Sequence, residues 1–304
     1  MVSAIAAVRG FSRFYTQLVG ALDPRFLDSD LTLAEARLLF EIAQTEAPVA
    51  SDLQASLGFD AGYVSRILRR FETDGLIERE RDASDSRRRP IVLTAKGRAA
   101  YAALNERQRD KVAEMLAPLA PSARSDLVAA LGTARALLGT PTPAFTIRTF
   151  RIGDIGLLAG RQSILYTEAF GWGRGIETNI SETTAAFLRG FMPGREQCWI
   201  AEVDGVMAGS VMLTDEGRGL CRLRLLYVEP FARGLGVGKA LVRTCLAFAR
   251  EVGYTEMMLW THTILETARR IYAAEGFELT QTEMHEEFGV PLQGETWRLR
   301  LAPA

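Results

Sequence analysis

Residues 222 to 239, Arg-Leu-Arg-Leu-Leu-Tyr-Val-Glu-Pro-Phe-Ala-Arg-Gly-Leu-Gly-Val-Gly-Lys, constrain the fold more tightly than any other stretch. An apolar strand runs through Leu225, Leu226 and Val228, and Pro230 ends it. Arg233, Gly234, Gly236 and Gly238 follow, and then an alanine- and leucine-rich helix. A strand feeding a glycine turn feeding a helix gathers backbone N–H groups at the positive end of the helix dipole. That arrangement suits a pyrophosphate.

Two other phosphate loops fail on residue identity. A Rossmann fingerprint needs a third glycine three residues after Gly236, where Lys239 stands. A P-loop needs glycine at the position of Arg233 and Ser or Thr at that of Ala240. The spacing Arg233-x-x-Gly236-x-Gly238 after such a strand instead resembles the acetyl-coenzyme A loop of the GNAT N-acetyltransferases. Downstream, Met257 to Trp260 read as a short buried strand, followed by a helix with Ala268, Ile271 and Tyr272, then Gly276-Phe277. This resembles the last strand–helix–strand unit of the same family. The resemblance implies acetyl-CoA as cofactor, held by Leu226, Tyr227, Val228, Arg233, Gly234, Leu235, Gly236, Val237, Gly238, Lys239 and Ala268. It implies Tyr272 near the sulfur as the catalytic proton donor. Leu265 stands where the family carries asparagine, three residues before Ala268, which removes one side-chain contact to the pantetheine arm.

The chain of 304 residues suits two domains. Its net charge of -1 advertises neither nucleic acid nor membrane, so any DNA contact must come from local clustering. Cys198, Cys221 and Cys245 have neither metal nor disulfide spacing, which fits a reducing cytoplasm. No secretory h-region opens the chain, and no apolar run reaches about 18 residues, so no membrane span is expected. Gly139-Thr-Pro-Thr-Pro-Ala144 reads as a linker. It divides a helical region, 1–138, from an alternating strand and helix region, 145–304.

In the first region, Ile5, Val8, Phe11, Tyr15 and Leu18 form one helical stripe. Thr32-Leu-Ala-Glu35 is a capping box. A short helix ends at Gly58, and Asp60 caps a second helix that closes at Gly75. Leu76 to Arg81 and Pro90 to Leu93 read as strands with a hairpin tip from Asp82 to Arg89. Helix, turn, helix and basic hairpin make a winged helix-turn-helix. The run Asp52-Leu53…Leu57-Gly58…Tyr63-Val-Ser-Arg66…Leu68…Leu76-Ile77-x-Arg79…Asp85-x-Arg87…Leu93-Thr94…Gly97 resembles the MarR family of bacterial transcription regulators across roughly 1–138. Ser65, Arg66, Arg69 and Arg70 are expected to face a major groove, with Arg87, Arg88 and Arg89 at the hairpin tip. Eight arginines between 66 and 89 are offset by six acidic residues, so placement rather than net charge carries the expectation of double-stranded DNA binding. The resemblance also implies a homodimer built from the terminal helices.

In the second region, Asp204-Gly205 joins two strands between Trp199 and Leu213, a hairpin signal. The order of elements matches the GNAT fold over 145–301, an α/β unit with a mixed, mostly antiparallel sheet. Gly153-Asp154, Leu165-Tyr166 and Phe170-Gly-Trp172 resemble the acetyltransferase half of MarR–GNAT fusion proteins, in which histidine is expected where Gln162 stands. Tyr272 would protonate the leaving thiolate, and a backbone N–H near Val228 would serve the oxyanion. The base is left open among His262, Glu229, Glu202 and Glu168. The three carboxylates read as solvated surface groups, and His285 as surface within an acidic run. Tyr166, Phe170, Trp172, Phe187 and Phe191 lie on the segments that cover the acceptor in this fold, which favours an apolar or aromatic amine or amino acid.

The expected protein is therefore a two-domain, cytoplasmic, DNA-binding regulator and acetyl-CoA-dependent N-acetyltransferase without a bound metal. A second reading makes the GNAT half a non-catalytic sensor of acetyl-CoA or an amine. A third uses the helical half for dimerisation alone.

Overall fold

The computed structural model describes residues 2–80, 89–139 and 144–301. Two compact units emerge, Met1–Ala120 and Pro121–Ala304. No helix among the described residues is long and apolar enough to cross a membrane.

The first unit opens with α1 (Val2–Leu18), then α2 (Leu33–Gln44), α3 (Ala50–Leu57) and α4 (Ala61–Thr73). Strands β1 (Ile77–Arg79) and β2 (Ile91–Leu93) pair antiparallel, and α5 (Ala95–Leu116) closes the unit. This is a winged helix-turn-helix order. The capping box forms: the Thr32 amide donates to Glu35 Oε2 at 2.8 Å, and the Glu35 amide to Thr32 Oγ1 at 3.3 Å. Asp60 caps α4 by accepting from the Tyr63 amide at 3.1 Å. Along α4, Val64, Ile67, Leu68 and Phe71 are buried at i, i+3, i+4, i+7 spacing, each contributing about 1.5–3 kcal/mol. Their partners include Leu38, Leu39, Leu53 and Ile91. The other face of α4, with Ser65, Arg66 and Arg69, stays exposed. Both strands are shorter than their sequence runs suggested, and most of the hairpin tip lies outside the described residues.

The second unit holds α6 (Pro121–Leu138), β3 (Thr146–Thr149), α7 (Asp154–Phe170), α8 (Gly173–Gly190), β4 (Gln197–Val203), β5 (Val206–Gly217) and β6 (Leu220–Val228). After these come α9 (Val237–Val252), β7 (Glu256–His262), α10 (Glu266–Ala274), β8 (Glu278–His285) and β9 (Leu292–Arg300). The placement of α6 differs from the boundary expected after Leu138. Its Arg135 bonds Asp204 at 2.9 Å, and a Cβ on Gly132 would lie 2.5 Å from Val206, so α6 packs on the β4–β5 hairpin. Of the expected linker 139–144, Thr140 to Pro143 lie outside the described residues.

The seven strands run in the order β3-β4-β5-β6-β7-β9-β8. Among the described strands β6 and β7 are the one parallel pair. Asp204 and Gly205 turn the β4–β5 hairpin at φ +52° and +77°, as an Asp-Gly two-residue turn requires. The sheet is buried on both faces. Trp199, Ala201 and Val203 pack with Leu241, Cys245 and Leu246 of α9, whereas Cys198 and Ile200 pack with Leu158 of α7 and Phe187 of α8. Period-two alternation thus serves two cores, so the strand reads as continuously apolar.

In the first unit, Thr94 accepts from the Gly97 amide at 3.0 Å and donates to the Gly75 carbonyl at 2.6 Å, which brings α5 onto the hairpin base. A Cβ on Gly97 would sit 1.9 Å from the Leu76 carbonyl oxygen. Gly97→Ala should therefore destabilise this unit by about 1–3 kcal/mol, despite the ~1 kcal/mol helix preference of alanine. Gly10→Ala on α1, where a Cβ meets nothing within 4 Å, should not. Calorimetric melts of the two variants test this, and equal transition temperatures would contradict the packing.

Candidate active site

The site starts from a break in strand pairing. Strands β6 and β7 run parallel from Leu220 opposite Glu256 to Leu223 opposite Leu259, and then pairing stops. On the other side of β6, Ser210 faces Tyr227 and Met212 faces Arg224, so Leu225 and Leu226 together stand against Val211. This β-bulge puts Leu225 at φ +50° and turns the strand away from β7. The opening is a cleft of about 560 Å³. Of the residues expected to hold the cofactor, Leu226, Tyr227, Val228, Arg233, Gly234, Gly238 and Ala268 line it.

Gly236, at φ +85°, caps α9, a conformation that favours glycine. A Cβ on Gly234 or Gly236 would meet nothing within 4 Å, so the loop faces open space. The first bond into α9 is from the Ala240 amide to the Gly236 carbonyl, 3.0 Å. The amides of Val237, Gly238 and Lys239 therefore have no acceptor within the helix. Leu235 packs against the core and Val237 is buried in it, so these two contribute backbone rather than side chain. Arg233 and Lys239 are exposed beside the loop. Unsatisfied donors, a helix N-terminus and two cations fit a pyrophosphate.

Behind the cleft lies an inner pocket of about 90 Å³ that shares Tyr166, Leu226, Leu265 and Ala268 with it. Tyr272 lines this inner pocket and is 4% exposed. Burial, then Tyr166 and Cys245, hold its phenol well above the usual range, so it stays protonated. Tyr166, also raised by burial, donates to the Leu226 carbonyl at 3.4 Å, at the bulge.

His262 lines the same pocket, and here the sequence expectation needs correction. His285 is not an isolated surface group: its Nε2 lies 3.0 Å from Nε2 of His262. The cause is β9, which inserts between β7 and β8 and places Gly294 opposite His262 and Leu292 opposite His285. These are the chain's two histidines. Trp260, Trp172 and Phe288 surround His262 with ring centroids at 4.4, 4.7 and 5.4 Å. Burial and His285 push His262 down to about 4, with Glu295 opposing.

Two of the three carboxylates weighed as bases are held in ion pairs. Glu229 is buried, not solvated, and takes a bidentate bond from Arg161 at 2.8 and 2.9 Å. Glu202 is bonded by Arg148, which also holds Asp154. Glu168 is exposed. Gln162 is buried on the inner pocket, with Oε1 lacking a partner. Asn179, Trp260 and Phe288 also line that pocket and were not singled out by sequence.

In the first unit, Ser65, Arg66 and Arg69 are exposed on α4, and Arg66 stacks on Tyr63 at 5.7 Å. Arg70 differs from its expected groove-facing role. Its guanidinium is held by Glu35, by Asp74 at 3.5 Å and by the Asp30 carbonyl at 3.1 Å, so it ties α4 to α2. Arg87 and Arg88 lie outside the described residues, and Arg89 is exposed.

Two family models match the chain, one within each unit. Residues 165–277 match the acetyltransferase (GNAT) family, and residues 29–88 match the MarR family. N-acetyltransferase 8 of Homo sapiens is 33% identical over 115 residues, 36% of this chain and 51% of that protein. N-acetyltransferase 8 of Rattus norvegicus is 36% identical over 110 residues, 34% of this chain and 48% of that protein. The chain thus spans about half the length of the curated relatives it matches. Among solved structures, a ribosomal-protein-alanine N-acetyltransferase from Brucella melitensis aligns with a TM-score of 0.43 at 19% identity, covering 51% of this chain and 99% of that one.

The His262 ring has a stability consequence. Its folded value lies below the ordinary 6.5, so folding favours the neutral ring. That contribution is full above pH 6.5 and is lost as the pH falls from 6.5 through about 4. His262→Gln cannot take up the proton. Its melting temperature should fall less steeply than wild type between pH 7 and pH 4, and parallel slopes would contradict a buried neutral His262.

Proposed function

We infer, from a chain that carries a MarR-family segment ahead of a GNAT-family acetyltransferase domain, a cytoplasmic DNA-binding regulator that also transfers acetyl groups from acetyl-CoA to a small amine. The observation that carries the enzymatic half is the cleft at the β6 bulge, with the glycine loop at one side and a buried, protonated Tyr272 behind it.

Acetyl-CoA, when bound, supplies an acetyl group activated as a thioester. The amides of Val237, Gly238 and Lys239, with Arg233, hold its pyrophosphate. A backbone N–H between Leu226 and Val228 polarises the acyl oxygen. The attacking amine must shed a proton; His262 lines the inner pocket, and burial with His285 holds it at about 4, which makes it a weak acceptor for that proton. Tyr272, which lines the inner pocket and is held protonated, would be the proton donor to the leaving thiolate. A second reading, a sensor of acetyl-CoA without turnover, draws support from Leu265, which precedes α10 with no side-chain cap.

In the regulatory half, Ser65, Arg66 and Arg69, with Arg87 and Arg88 of the hairpin, contact an operator duplex. The exposed stripe of α1, Ile5, Val8, Phe11, Phe14 and Tyr15, pairs with a second copy.

Free-thiol release from acetyl-CoA with an amine panel tests the enzymatic reading. Tyr272→Phe should keep coenzyme affinity within a few-fold and lower turnover by about 10²–10⁴-fold. Gly236→Asp should abolish acetyl-CoA binding in calorimetry, because it sets a carboxylate against the pyrophosphate. Wild-type turnover in the first variant would return Tyr272 to packing, and wild-type affinity in the second would remove the loop assignment. Arg66→Ala should cost about 1–3 kcal/mol on a specific operator. Unchanged, salt-insensitive shifts would remove the DNA reading.

A further inference from the structure

The inner pocket is too small for a whole substrate. At roughly 10–15 Å³ for each water-sized group, its 90 Å³ admits about six to nine non-hydrogen atoms. Gln162, Asn179, Thr261 and His262 give it a polar side, but among the described residues that line it none is Asp, Glu, Lys or Arg. A charged group drawn inside would lose its hydration without meeting an opposite charge. The aromatic residues expected to select an aromatic amine are occupied with one another. Trp172 packs at 5.2 Å on Tyr166 and Phe170 and at 5.1 Å on Phe288, while Phe187 and Phe191 pack on Phe150. Permanent charge on a substrate must therefore be held outside this pocket.

A second cavity, of about 400 Å³, adjoins it and shares Asn179, Leu223, Leu225 and Trp260 with it. Charges of both signs line this cavity. Arg222 and Arg224 stand two residues apart on β6, and Glu283 and Glu287 come from β8 and the turn after it. The two arginines share one carboxylate oxygen: Glu216 Oε1 lies 3.4 Å from Arg222 Nε and 3.0 Å from Arg224 Nη2. Arg222 Nη2 has the Met258 sulfur at 3.4 Å, a weak acceptor. Among the described residues, Nη1 of Arg222 and Nη1 of Arg224 have no hydrogen-bond partner, and both are open, in side chains 28% and 30% exposed. Burial and Arg224 push the Arg222 guanidinium below its ordinary value, with Glu216 opposing and Arg298 adding to the push. The β6 wall is thus short of negative charge. On the β8 side, Glu283 and Glu287 are exposed and have no ion-pair partner among the described residues.

We propose that this outer cavity holds the head group of an α,ω-diamino acid, its carboxylate on Arg222 and Arg224 and its α-ammonium towards Glu283 and Glu287, while its ω-amine enters the inner pocket and is acetylated. The last step rests on the acetyltransferase reading. A ligand with one charge would answer one wall and leave the other to water, whereas an amino-acid head answers both. The side chain of such an acid is a few methylenes and one nitrogen, which fits the space that the inner pocket offers. The ω-amine is the group that must be neutral to attack, so it suits walls without charge. It forms the new C–N bond as the thioester C–S bond breaks, and the proton that nitrogen loses balances the one that the departing sulfur gains.

The test is a calorimetric titration of the full chain saturated with coenzyme A, with thiol release from acetyl-CoA followed in parallel samples. The probes are lysine and ornithine, their diamines cadaverine and putrescine, which lack the carboxylate, and ε-aminocaproate and δ-aminovalerate, which lack the α-ammonium. Lysine or ornithine should bind tightest, with both of its analogues roughly 3- to 10-fold weaker. Mass spectrometry of the product should place the acetyl group on the ω-nitrogen. Arg224→Gln should erase the advantage of the diamino acid over its diamine while coenzyme affinity holds within about two-fold. Arg222→Gln provides the same reading if the first variant misfolds. Glu287→Gln should instead erase the advantage over the ω-amino acid. Binding in this order without thiol release would remove the acetyltransferase reading and keep the cavity assignment. Thiol release with other amines and no preference for a diamino acid would overturn the proposal and keep acetyl transfer. Acetylation of the α-nitrogen, or no binding by any probe, would overturn the proposal as well.

Discussion

The second unit depends on the divergence of two neighbouring strands. Parallel pairing of β6 with β7 lasts from Leu220 to Leu223, and the bulge at Leu225 and Leu226 then turns β6 aside. A parallel pair continued to its end would satisfy more backbone groups but would leave no cleft. The sheet tolerates the interruption because both of its faces are buried, by α9 on one side and by α7 and α8 on the other. The bulge also directs backbone groups into the opening, and Tyr166 already occupies the Leu226 carbonyl there.

From that opening, charge is partitioned along a line. The glycine loop, with Arg233 and the α9 N-terminus, is electropositive and open. The pocket behind it is aromatic, and every titratable group on its walls is pushed towards its neutral form: Tyr272 and Tyr166 upward, His262 downward. Low polarity thus fixes the resting protonation state of each group, while Glu229, Glu202 and Glu295 serve ion pairs with Arg161, Arg148 and Arg269.

How much of this could be read from the chain varies with the range of the interaction. Caps, the Asp204-Gly205 turn, the glycine loop and the α4 stripe are local, set by residues a few positions apart, and sequence spacing exposes them. The placement of Tyr272 one strand and one helix after the loop was likewise legible. The His262–His285 pair was not, because it requires β9 to insert between β7 and β8. Strand β8 shows no apolar alternation to announce itself, since it is the edge of the sheet and nearly all its residues are exposed. Nor was the attachment of Arg70 to Glu35 legible, because residues 35 apart in sequence meet only through the packing of α2 against α4. The position of α6 failed for a related reason. A proline-rich linker marks where a chain can bend, but packing decides which unit a helix joins.

A crystal structure with coenzyme A bound tests the central claim most directly. The account predicts pyrophosphate oxygens within hydrogen-bond distance of the Val237, Gly238 and Lys239 amides, and the sulfur beside the Tyr272 hydroxyl, at the boundary between cleft and inner pocket. A coenzyme bound away from the loop, or a sulfur out of reach of Tyr272 with another side chain between them, would contradict it.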